Sequence, residues 1–241
     1  MRTRSVNITP RLEAALEMLT GFDTVADIGC DHGRLTAALL QRHVCNHVIA
    51  SDVSGPSLDK ARKLIEHIGI SDRVSFREGD GCSILVPGEC DAIALLGMGG
   101  TLMVRILEAC SVPLSGAKAI VLQPMRAQDD IRRYLHQNGF RIVCDRVVLD
   151  HGRLYQVLKV VPGSSQEPLP PGFPDGFYDV GYRTFADRDE LLPALCRQQL
   201  TAHKKMLRTA SGTEGEAIIC DKIRSLEQIL HELKTGDSVG S

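Results

Sequence analysis

Short apolar runs that end in Asp or Gly alternate five times with stretches of helical spacing, and this alternation restricts the chain to an α/β fold built on a mostly parallel sheet. Strands are expected over 24–28, 48–51, 74–77, 91–96 and 118–122, with helices over 12–19, 35–42, 57–68, 102–110 and 129–138. Thr9 and Pro10 suit the N-cap and first turn of the opening helix. Two further strands, 141–149 and 154–161, follow in direct succession through Asp150-His151-Gly152, a hairpin signal. The expected architecture is therefore a doubly wound sheet with helices on both faces and an antiparallel edge strand.

Residues 162–175 hold five prolines and two glycines, which no helix or central strand accommodates. They read as a linker between a main domain, 1–162, and a smaller one, 176–241. In the latter, 190–207 and 215–233 have helical spacing and suggest two antiparallel helices. With 28 Lys and Arg against 30 Asp and Glu, bulk basicity is absent, which excludes a polybasic binder. No apolar stretch reaches the roughly 18 residues of a membrane span, and the N-terminus lacks the apolar core of a signal peptide. A cytoplasmic location without membrane contact is the expectation. The eight cysteines show no CxxC or zinc-finger spacing, so they read as unpaired buried thiols with no metal site.

The chemistry concentrates where strands give way to loops. Asp27-Ile28-Gly29-Cys30-Asp31-His32-Gly33 occupies the first strand-to-helix turn, where open α/β sheets bind nucleotides. It lacks the middle glycine of the dinucleotide fingerprint and has Asp31 there instead. A carboxylate in that place opposes a pyrophosphate and so disfavours NAD. S-adenosylmethionine carries a sulfonium and an ammonium but no phosphate, and Asp27 and Asp31 would attract it. Asp52, with Val53 beside it, closes the second strand and suits ribose hydroxyls. Asp80, between Gly79 and Gly81 after the third, suits the adenine amino group. The candidate cofactor residues are thus Asp27, Gly29, Cys30, Asp52, Val53, Gly79, Asp80, Gly81 and Gly97. Gly97-Met98-Gly99-Gly100 follows the fourth strand, where the methyl acceptor would approach, and Thr101 is placed to cap the next helix.

Together with Arg11-Leu12, Gln123-Pro124 and the helical C-terminal extension, these motifs resemble the bacterial tRNA (adenine-22-N1)-methyltransferase family over nearly the whole chain. The final hairpin fits the class I methyltransferase version of the fold. The resemblance implies methyl transfer from S-adenosylmethionine to N1 of an adenosine in tRNA. Asp31, His32, Met98 and Gly99 would then face the acceptor, Asp31 orienting the purine and His32 and Met98 shaping the pocket. Phosphate contacts would come from Arg2, Arg4, Arg11, Arg34, Arg126, Arg132, Arg133, Arg197, Lys204, Lys205 and Arg208. Monomer and weak homodimer both stay open. So do a class I methyltransferase acting on another RNA, a protein or a small molecule, and a non-catalytic RNA-binding protein on the same scaffold.

Overall fold

The computed structural model describes residues 5–110, 113–163, 175–210 and 215–235. The expected linker therefore lies almost wholly outside the described residues, as do Arg2 and Arg4. Seven strands, β1 (Thr24–Ile28), β2 (His47–Asp52), β3 (Val74–Glu78), β4 (Ala92–Met98), β5 (Ala119–Pro124), β6 (Phe140–Asp150) and β7 (Arg153–Pro162), form one sheet in the order β3-β2-β1-β4-β5-β7-β6. The first five pair in parallel, and β7 inserts antiparallel between β5 and β6. His151 and Gly152 both take positive φ, the geometry of a tight two-residue hairpin.

Helices cover both faces. α1 (Pro10–Met18), α2 (Arg34–Gln41) and α3 (Gly55–Ile68) pack on one, burying Leu19, Leu39, Leu40 and Ile65 against alternate sheet residues such as Val25, Val48 and Ala94. α4 (Gly100–Ala109) and α5 (Gln128–Gln137) cover the other with Met103, Leu107, Ile131 and Leu135 against Ile93, Leu95, Ile120 and Leu122. Near-continuous apolar strands follow from burial on both faces. Thr9 has the extended backbone of a capping residue, yet its hydroxyl makes no cap bond and is buried without a partner among the described residues. Thr101 likewise does not cap α4: Gly99 holds that position, and the Thr101 hydroxyl donates to Asp130 at 2.8 Å. Ser54 does cap α3, accepting from Ser57 N–H at 3.4 Å.

Beyond residue 175, two short helices that sequence periodicity does not reveal, α6 (Gly176–Val180) and α7 (Tyr182–Ala186), precede α8 (Leu192–Ala210) and α9 (Gly215–Thr235). Leu192, Leu195, Cys196, Leu226 and Ile229 join Phe177, Val180 and Val147 of β6 in a third apolar cluster. Buried polar links fasten this region to the sheet. Arg132 of α5 grips Asp145 of β6 through contacts of 2.8–3.1 Å, and Thr184 donates to the Asp145 carbonyl at 3.3 Å. Lys222 of α9 meets Asp129 at 2.5 Å and Asp179 at 3.3 Å.

Two expectations fail here. Cys82 and Cys110 are joined in a disulfide, because the short 3-10 helix Gly81–Ile84 packs against the end of α4 and brings their Cα atoms to 5.4 Å, within bridging range. Their separation of 28 residues carries no local signal. Arg132, expected to face RNA, is 3% exposed and committed to Asp145.

Candidate active site

The strand order reverses between β1 and β4, and the C-terminal ends of the strands beside that reversal open a cavity of about 650 Å³. Its first wall is the turn after β1. Gly29 and Cys30 both donate from backbone N–H to the Ser51 carbonyl at 2.8 Å, and Gly29, Asp31 and Gly33 all take positive φ, which draws the chain tightly around the mouth. A Cβ on Gly33 would lie 2.8 Å from that of Ala61, so glycine is what lets α2 and α3 close on each other there. A Cβ on Gly29 would lie 2.3 Å from the Met98 methyl group, and Met98 therefore sits directly across the mouth.

Asp52 ties the loops together. Its two oxygens accept from the N–H groups of Asp31 at 3.0 Å and Ser54 at 2.9 Å. Gly79 N–H donates to the Asp52 carbonyl at 3.1 Å, which draws the third loop in as well. Asp80 follows, exposed, and its carboxylate receives no hydrogen bond from any described residue. Asp27 is buried under the floor and accepts from the Thr36 hydroxyl at 2.7 Å. Burial pushes its carboxyl up to about 6, the Thr36 hydrogen bonds offset part of this, and the Asp52 charge adds a little. Asp31 is two-thirds exposed and binds His32 Nδ1 at 2.7 Å, while the other ring nitrogen lies 3.3 Å from Lys60. Cys30 is buried, and its thiol is pushed far up by burial and then by Asp27 and Asp52, so it is no nucleophile.

The opposite wall comes from β4 and β5. A register shift between Leu96 and Met98 and a φ of +76° at Gly97 lift the strand end. Gln123, 1% exposed at the end of β5, accepts from Gly97 N–H at 3.2 Å. Of the residues singled out by sequence, Asp27, Gly29, Cys30, Asp31, His32, Asp52, Val53, Gly79, Asp80, Gly81, Gly97 and Met98 line this one cavity. Gly99 does not. It caps α4 beside the Arg126 side chain. Gly100 is set by packing as well, since a Cβ there would stand 1.9 Å from the Ala127 carbonyl oxygen.

Gln123 enters the sequence reading only as part of a family motif and Met125 not at all as a site residue, although both line the cavity with Thr9, Leu12 and Leu102. The available signal was a polar residue closing the apolar run Ile120-Val121-Leu122 at a strand end. Of the expected phosphate contacts, Arg34 and Arg126 are exposed near the mouth and have no ion-pair partner among the described residues. Arg133 pairs with Asp175 at 2.7 Å and Lys204 with Glu227 at 2.8 Å.

Residues 8–158 match a family model described as a methyltransferase domain. The chain is 30% identical to the tRNA (adenine(22)-N(1))-methyltransferase of Bacillus subtilis over 158 residues, 66% of each protein and so just under two thirds of that relative's length. A structure of a Streptococcus pneumoniae protein in complex with S-adenosyl-L-methionine superposes with a TM-score of 0.81 at 26% identity, covering 93% of this chain and all of that one. The structure of the Bacillus subtilis M1A22 tRNA methyltransferase TrmK also gives 0.81, at 24% identity, covering 93% of this chain and 99% of that one, and shows the same fold. With its cavity at the sheet's switch point and the family model covering 151 of its 241 residues, the chain belongs to the methyltransferase-domain family.

Proposed function

We propose that this chain transfers a methyl group from S-adenosylmethionine to N1 of an adenosine in tRNA, position 22 by likeness to its Bacillus subtilis relative. The observation that carries the reading is the convergence of Asp31, Asp52 and Asp80 on one cavity above the buried Asp27, with the Asp80 carboxylate accepting no hydrogen bond from the described residues. These residues fit a cationic ligand with hydroxyl and amino donors and oppose a diphosphate. Asp52 is held by two backbone N–H groups and keeps lone pairs for ribose hydroxyls. Asp80 is free to accept from an adenine amino group, with Gly79 and Gly81 keeping the loop low.

S-adenosylmethionine supplies an electrophilic methyl group on sulfur. The acceptor's N1 lone pair forms the new N–C bond as the donor's S–C bond breaks, and the positive charge moves from sulfur to the purine. Alignment matters more than deprotonation in such a step, so no strong base is required. N1 faces a partner in a paired nucleotide, so the base must be splayed out or already unpaired. Asp31 would accept from the exocyclic amine, His32 would hold the Asp31 carboxylate, and Met98 would shape the slot. Arg34 and Arg126, without an ion-pair partner among the described residues, would meet backbone phosphates. In this reading 1–162 is the catalytic unit, 176–241 a helical unit docked on it, and the cytoplasm, where tRNA is found, its location.

Titration calorimetry tests the ligand. S-adenosylmethionine should bind with about micromolar affinity, Asp80→Ala should weaken it, and NAD should not bind. Binding of NAD in place of S-adenosylmethionine would remove the reading.

A further inference from the structure

Arg11, in the first turn of α1, reaches the acceptor side of the cavity and is held there by groups from three strands. Its Nε lies 3.3 Å from Asp150 Oδ2, its Nη1 donates to Gln123 Oε1 at 3.2 Å and contacts the Met125 sulfur at 3.4 Å, and its Cζ stands 5.2 Å from the Tyr155 ring centroid. Two of the holders are buried, and one of them is hydrogen-bonded to a neighbouring strand. Asp150 has a 3% exposed side chain, and Gln123, 1% exposed, is pinned to Gly97. Nη2, by contrast, donates to none of the described residues.

The buried Asp150 carboxylate balances most of the guanidinium charge. What Arg11 offers the cavity is therefore a directed N–H donor more than a net positive charge. A backbone phosphate is bound chiefly by charge, whereas a purine ring nitrogen is bound by a donor aimed at one lone pair. N3 and N7 of adenine lie on edges that leave N1 uncovered.

We propose that Arg11 is a specificity residue for the acceptor, donating from Nη2 to a ring nitrogen of the methylated adenine, N3 or N7, and so turning its N1 edge toward the methyl donor. Asp150 and Gln123 are the positioning residues that fix it. The inference rests on the adenosine-methyltransferase reading above and adds the group that orients the base.

The test is a cycle of one protein change against one substrate change, using the full chain and a tRNA with 3-deaza- or 7-deazaadenosine at the acceptor position. Arg11→Lys keeps the charge but loses the planar fork, and should lower kcat/KM about 10- to 100-fold with unchanged S-adenosylmethionine affinity. One of the two analogues should cost the wild type a clearly larger factor than it costs the variant. Because each analogue also changes N1 basicity, only the failure of the two losses to multiply is diagnostic. Retained kcat/KM in the variant, or full multiplication of the losses for both analogues, overturns the proposal. Should the lysine variant lose S-adenosylmethionine binding, Arg11→Gln carries the same cycle. If the wild type fails to methylate unsubstituted tRNA, the functional reading falls first and the proposal with it; if it methylates and the losses multiply, only the proposal falls.

Discussion

Burial holds the Asp27 carboxyl at about 6 although Thr36 donates to it, so this residue couples the site to the stability of the fold. An acid whose pKa is raised by folding binds its proton more tightly in the native state. Its favourable contribution is complete below the unfolded value near 4 and is lost as pH rises through about 6. Asp27→Asn cannot titrate and should escape that loss. Relative to wild type, the variant should gain up to about 3 kcal/mol between about pH 4 and pH 8, read from urea unfolding at both. An equal difference at the two pH values would contradict the buried, proton-favouring environment. Asp27, Asp52 and Asp80 could be placed at one cavity from sequence because each stands within two residues of the end of a parallel strand, and those ends share one edge of the sheet. Residue-scale reading failed for Arg132 and for the Cys82–Cys110 bond, whose partners come from distant segments and leave no local trace.

Elements were legible where periodicity and punctuation agree. β1 matches its expected span, and α3 begins at the Ser54 cap and stops at Gly69, which takes the left-handed conformation of a helix end. The short helices α6 and α7 were not legible, because five residues each are too few to show a period. The glycine cluster after β4 shows how one motif divides between roles. Gly97 turns the chain at the cavity, whereas Gly100 lets the start of α4 pass against Ala127, donating to the Arg126 carbonyl at 2.8 Å. Ala127, itself at a φ of +53°, lies on the far side of that contact, and backbone cannot yield as a side-chain tip can. Gly100→Ala should therefore cost about 1–3 kcal/mol in thermal or urea unfolding. Gly88→Ala is the control, since its Cβ would meet nothing within 4 Å and its cost is confined to its positive φ. A Gly100 variant no less stable than the Gly88 variant would refute the close approach.

At the scale of the whole molecule, the sheet's order places carboxylates on one wall of the cavity and the Arg11, Gln123 and Met125 group on the other. The C-terminal helices attach on the α5, β6 and β7 side through Lys222, Asp129, Asp179, Arg132 and Asp145. The wall opposite Asp52 and Asp80 comes from β4 and β5, and the helical region sits beyond it on α5, β6 and β7. The doubly wound plan was readable from the alternation of strands and helices; the insertion of β7 inside the edge strand β6 and the docking of the helices were not, since they depend on pairings between segments whose contacts leave no local pattern. In the proposed function this cavity aligns a sulfonium methyl group with adenine N1 in tRNA. That function is tested most directly by incubating the purified chain with labelled S-adenosylmethionine and an unmodified tRNA transcript, followed by mass spectrometry of the nucleosides. The account predicts label in 1-methyladenosine, and none when the transcript carries guanosine at position 22. Label in any other nucleoside, or undiminished label in the guanosine transcript, would contradict it.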